Sequence, residues 1–117
     1  MHVYLPHLLL VTHAAVVHGA TIAVQVARNG LSFTPNSFAA EVGDQVEFYF
    51  VHSGHGVTQG GFSSPCQPSS DGFESGLVQT SDGLPFTITV TNKDPIYFYC
   101  PVSTHCQHGM GGAINAP

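Results

Sequence analysis

Four stretches of the chain alternate apolar residues with polar or small ones at a period of two. TIAVQVA (21–27) puts Ile22, Val24 and Val26 on one side, and AAEVGDQVEFYFV (39–51) does the same with Val46, Phe48 and Phe50. LPFTITVTN (84–92) aligns Phe86, Ile88 and Val90, and PIYFYC (95–100) adds an aromatic run. Successive side chains of an extended strand point to opposite faces, so each stretch has one face to bury. Turn formers separate them: Asn29-Gly30, Gly43-Asp44 and Asn92-Lys93-Asp94. No amphipathic helical segment follows residue 20, and a short last strand fits 111–115. The pattern predicts an all-β fold, an antiparallel β-sandwich of about seven or eight strands.

A chain of 117 residues without an internal repeat has room for one domain with one core. Hydrophobic residues at 43% against 8% charged ones suit a compact globule rather than a disordered tail. Two basic residues against seven acidic ones, a formal charge of -5, argue against nucleic acid and anionic membrane surfaces as partners. The first twenty residues hold no Lys, Arg, Asp or Glu, and an apolar centre, LLLV (8–11), precedes the small pair Gly19-Ala20. This predicts a secretory signal peptide over 1–20, cut near residue 19 or 20, ahead of a domain over 21–117. The leader is too short, and too interrupted by His and Pro, to span a bilayer well, so a secreted protein without a membrane span is expected.

All three cysteines, Cys66, Cys100 and Cys106, lie after the leader. In an oxidising compartment two should pair, leaving one for an intermolecular bond, a buried inert thiol or a ligand. Cys66 stands in a Gly-, Ser- and Pro-rich loop, 60–75; Cys100, at the end of an aromatic strand, is followed at intervals of five by His105 and Met110. His55 occupies a bend, HSGHGVTQ (52–59), between two strands. A sandwich gathers its loops at two poles, where His55 can meet the 100–110 loop. Singly, a buried Cys, a core Met and two turn histidines are ordinary structural residues. Jointly, with a thiol left over, they favour a metal site. His52 and His108, three residues from His55 and His105, compete as ligands. No HExxH, GxSxG, phosphate loop or HxH pair occurs, and no Asn-x-Ser/Thr acceptor for N-glycans.

The run Cys100-Pro-Val-Ser-Thr-His105-Cys106-Gln-His-Gly-Met110 resembles the metal loop of the cupredoxins, the small blue-copper fold. So do His55-Gly56-Val57, the Ser64-Pro65-Cys66 loop and the entry stretches F-x-P and V-G-D-x-V-x-F. The chain is most similar to the phytocyanin-like branch and to secreted cupredoxin-like proteins of fungi. The resemblance implies a Greek-key sandwich holding one type 1 copper, with His55, Cys100 and His105 as strong ligands and Met110 as the axial one. Two imidazoles, a thiolate and a weak thioether suit both copper oxidation states.

The phytocyanin-like pattern also implies a Cys66–Cys106 disulfide, although pairing of Cys100 with Cys106 is sterically open from sequence and would destroy the site. The implied function is a monomeric extracellular electron carrier or copper binder, not an enzyme, with an unknown redox partner. A rival is a surface module that binds a cell-wall component on the same scaffold. A third is a zinc or copper scavenger using His52, His55, His105 and His108 with Cys100. The fungal relatives often continue into a Ser-rich tail and lipid-anchor signal; this sequence stops at Pro117, so a soluble product is expected.

Overall fold

The computed structural model describes residues 19–80 and 82–117; the leader expected over 1–20 lies outside them except for its last two residues. The strands are β1 (Thr21–Val26), β2 (Phe33–Thr34), β3 (Ser37–Phe38), β4 (Gln45–Phe50), β5 (Thr58–Gly60), β6 (Phe86–Thr89), β7 (Ile96–Tyr99) and β8 (Gly111–Ile114). They form two four-stranded sheets, ordered β2-β1-β4-β6 and β3-β8-β7-β5. The described residues contain no α-helix, only a 3₁₀ turn at Cys106–His108.

The sandwich and its strand number match the expectation from sequence, but its pairing is mixed rather than purely antiparallel. β1 runs parallel to β4 from Thr21↔Gln45 to Val26↔Phe50, and β3 runs parallel to β8. The cause is a crossover: after β2 the chain leaves the first sheet, contributes β3 to the second, and returns as β4 beside β1. Such a connection lets neighbours point the same way, which a tight hairpin cannot do. The remaining pairs, β1–β2, β4–β6, β5–β7 and β7–β8, are antiparallel.

Alternation does its expected work in β1 and β4, where Val24, Val26, Val46, Phe48 and Phe50 are buried and the intervening residues lie nearer solvent. On the outer face of β4 the Tyr49 hydroxyl donates to the Glu47 carboxylate, an arrangement that raises the phenol's pKa. Across the sandwich, Phe33 and Phe48 meet Phe98 of β7 edge to face, at centroid distances of 5.0 and 5.3 Å. This geometry favours aromatic pairs beyond the area they bury. Phe48 also contacts Phe73 and Phe86. Phe48→Ala is therefore expected to destabilise the domain by about 3–5 kcal/mol. Urea unfolding followed by circular dichroism checks it, and a loss under about 1 kcal/mol would contradict this packing.

β7 departs from strict alternation, because Phe98, Tyr99 and Cys100 are all buried. Phe98 and Tyr99 face opposite sides of the sheet, so both sides are covered at this point. Tyr99 lies against Gly60, and Tyr97 packs against Phe62 on the long loop after β5, their ring centroids 5.7 Å apart. The aromatic run delivers Cys100 into the interior at one pole of the sandwich.

Candidate metal centre

His55 sits in the bend between β4 and β5, held through its backbone. Its carbonyl accepts from the Val78 amide at 2.8 Å, while the Gly54 amide donates to the Val78 carbonyl at 2.8 Å. Two residues on, the Val57 amide donates to Ser75 Oγ at 2.9 Å, and that hydroxyl donates to the Gly76 carbonyl. Segment 74–78 is thus a buttress for His55. The loop expected from sequence over 60–75 includes only its first two residues, and no element is expected from sequence over 76–78.

The other candidate ligands share one closed loop. The Cys100 amide donates to the Met110 carbonyl at 3.1 Å, and the Met110 amide donates to the His105 carbonyl at 3.1 Å. His105 heads the 3₁₀ turn, and Gly109 ends it in the left-handed conformation at φ 99°, where a β-carbon would be strained. That reversal sends Met110 back into β8.

These supports bring three side chains together. Cys100 Sγ lies 3.4 Å from His105 Nδ1 and 3.9 Å from His55 Nδ1. All three donor atoms fall within 4.8 Å of one another. Nitrogen and sulfur donors bonded at about 2.0–2.3 Å to one ion, in trigonal or tetrahedral array, lie roughly 3.5–3.8 Å apart. The cluster therefore fits a single metal ion with little rearrangement. Cys100 and Met110 are completely buried, His55 is 9% exposed, and His105 is half-buried at the rim.

Cys66 and Cys106 are joined in a disulfide and Cys100 is free, which resolves the pairing left open by the sequence. His52 and His108 are exposed and outside the cluster. His108 Nδ1 instead donates to the Thr104 carbonyl at 2.8 Å. The scavenger arrangement needing both histidines is not assembled.

Burial lowers the pKa of His55, and the neighbouring His105 and His52 lower it further. The neutral imidazole, the form that binds metal, is thereby favoured. In the metal-free protein the unfolded chain then binds more protons at this position than the folded one. Below about pH 6.5, His55's contribution to stability should be lost as pH falls through its folded pKa. Denaturation of the metal-free protein at pH 7.5 and 5.0 checks the sign: the loss at low pH should shrink in His55→Gln.

No family model matches the chain. A probable GPI-anchored cupredoxin of Arthroderma benhamiae is 44% identical over 105 residues, spanning 89% of this chain and 55% of that protein. An extracellular serine-rich protein of the same organism is 40% identical over 108 residues, 89% of this chain and 42% of the relative. The chain thus spans about half the length of these relatives. Among solved structures, pseudoazurin from Hyphomicrobium denitrificans superposes with a TM-score of 0.61 at 17% identity, over 81% of this chain and 73% of that one. Oxidised plastocyanin from Dryopteris crassirhizoma gives 0.60 at 22% identity, over 79% and 96%. Spinach plantacyanin gives 0.54 at 23% identity, over 84% and 100%. These structural likenesses speak to the fold. Taken with the two-sheet topology, they show that the described residues form a domain with the cupredoxin fold, similar in sequence to a fungal cupredoxin and with the buried Cys100 flanked by two imidazoles.

Proposed function

We propose that this domain holds one copper ion as a type 1 centre through His55, Cys100, His105 and axial Met110, and passes single electrons outside the cell. The observation that carries this reading is a free, buried thiol with two imidazole nitrogens at 3.4 and 3.9 Å, in a chain whose other two cysteines are paired. Copper, when bound, supplies a one-electron couple that this mixed nitrogen and sulfur set suits in both oxidation states.

The rest is the work of the chain. The hydrogen bonds around His55 and within the 100–110 loop fix the donors before any ion arrives, which limits rearrangement between oxidation states. Half-buried His105 gives the centre its solvent-facing edge, the natural exit for an electron. Met110 is fully buried, and as a fourth ligand it would leave no open position for a substrate, so we assign electron transfer or copper holding rather than turnover.

An extracellular or cell-surface setting agrees with the disulfide and with the names of the two fungal relatives. Among the described residues no helix is long and apolar enough to cross a membrane.

Titrating the purified protein with Cu(II) tests the proposal. An intense visible band should saturate at one equivalent, bleach with ascorbate, return with oxidant, and persist in His108→Ala. A colourless protein that still folds would favour the cell-wall interaction module instead.

A further inference from the structure

Away from the metal pole, Asp44 poses a separate problem. The residue is buried at 7% exposure, and both carboxylate oxygens accept backbone amides: Oδ1 from Ala20 at 2.8 Å and Oδ2 from Glu41 at 2.8 Å. The salt bridge found among the described residues joins Lys93 to Glu41 instead, so no Lys, Arg or His side chain there pairs with Asp44. A buried carboxylate is costly unless paired as well as hydrogen-bonded.

The missing positive charge can come from the backbone. Ala20 is fixed at both ends, its amide on Asp44 and its carbonyl accepting from the Gln45 amide at 2.9 Å, one step before the β1–β4 ladder begins at Thr21↔Gln45. Upstream the fit worsens: a β-carbon at Gly19 would collide with the Gly43 carbonyl. In sequence, Val17 and Gly19 occupy the third and first positions before the Gly19–Ala20 bond, where leader cleavage wants small residues.

We propose that the Gly19–Ala20 bond is the processing site, and that the α-ammonium created on Ala20 is the counter-ion of Asp44. An endopeptidase of the export machinery adds water across this amide, leaving the carboxylate on Gly19 of the released leader and the amine on Ala20. With an ordinary pKa of about 7.7–8.0, that amine is cationic at neutral pH. Its position at Asp44 Oδ1 turns an amide hydrogen bond into a charge-assisted one. The new terminus pins the start of β1 to the turn before β4. This inference rests on the extracellular reading above but not on copper binding.

Expression of the full chain in a secreting fungal host, followed by intact-mass analysis and N-terminal sequencing, tests the cut. One species beginning at Ala20 is expected; a secreted product with another first residue, or one keeping its leader, overturns the proposal. The copper band, read on the same sample, reports separately on the metal site.

The ion pair is tested by acetylating the α-amine near neutral pH, where it reacts ahead of Lys93, the single lysine. Acetylation should lower the melting temperature by roughly 4–8 °C in the native protein and have no effect in Asp44→Asn. Equal effects in both, or none in either, overturn the pairing. Should Asp44→Asn not fold, a form extended by one Gly before Ala20 replaces it, and it must melt below the form starting at Ala20.

Discussion

Cys100→Ser is expected to abolish the visible band of the copper-loaded protein while leaving the sandwich folded. Only a thiolate donates strongly enough to copper to give the type 1 signature, and the substitution exchanges it for a hydroxyl of nearly the same shape. Cys66 and Cys106 cannot substitute, because they are bonded to each other. The cost in stability should stay below about 2 kcal/mol, since the new hydroxyl, which can donate or accept, has His105 Nδ1 beside it as a hydrogen-bond partner. Any Cu(II) still bound would rest on His55 and His105, pale and much weaker. Absorption spectroscopy and a chelator competition, set beside far-ultraviolet circular dichroism, separate loss of the site from loss of the fold. If the intense band survives in Cys100→Ser, the ligand assignment is wrong, and with it the proposed function.

Why this cluster was legible in the sequence follows from where its members sit. Cys100, His105 and Met110 lie in one loop, so their order and spacing survive as a motif in the linear chain. His55 is 45 residues before Cys100 and was readable only because its bend carries the Gly56-Val57 pair that resembles the family pattern. The buttress at 74–78 left no such trace. Ser75 acts through a single hydroxyl on the Val57 amide, and nothing distinguishes it from the other serines of its loop.

The same divide holds for the fold. Alternation in β1 and β4 identified the buried face correctly, because burial acts on each side chain in turn. Strand direction does not: Val24 packs inward whether its neighbour Phe48 runs with it or against it, so the parallel β1–β4 pairing could not be read. Asn115 shows the limit again. It looked like the tail of a strand, yet its side chain accepts the Ala40 amide at 2.8 Å and donates to the Ala40 carbonyl at 3.0 Å, fastening two distant segments as a backbone rung would.

Replacing both Cys66 and Cys106 with Ala should cost stability on the same scale as emptying the aromatic core at Phe48, while sparing the candidate ligands. The bridge closes a loop with a sequence separation of 40, for which chain-entropy reasoning gives about 4 kcal/mol. For a domain near 100 residues this corresponds to a melting temperature lower by on the order of 15–30 °C. The urea m-value should rise at the same time, because the unfolded chain loses its crosslink and exposes more surface. The colour of the copper form is expected to behave differently. His105 adjoins Cys106, yet its own backbone is tied to Val102 and Met110 by hydrogen bonds that do not involve the disulfide. Protein still folded at 20 °C should therefore keep its visible band at one equivalent of copper. Loss of colour with intact circular dichroism would mean that the bridge, rather than the hydrogen-bonded loop, sets the imidazole. A stability loss under about 1 kcal/mol would point the other way. The 60–75 loop would then be held by its own contacts, the Ser69 amide on the Gln59 carbonyl and the Gln59 amide on the Phe73 carbonyl, each at 2.9 Å.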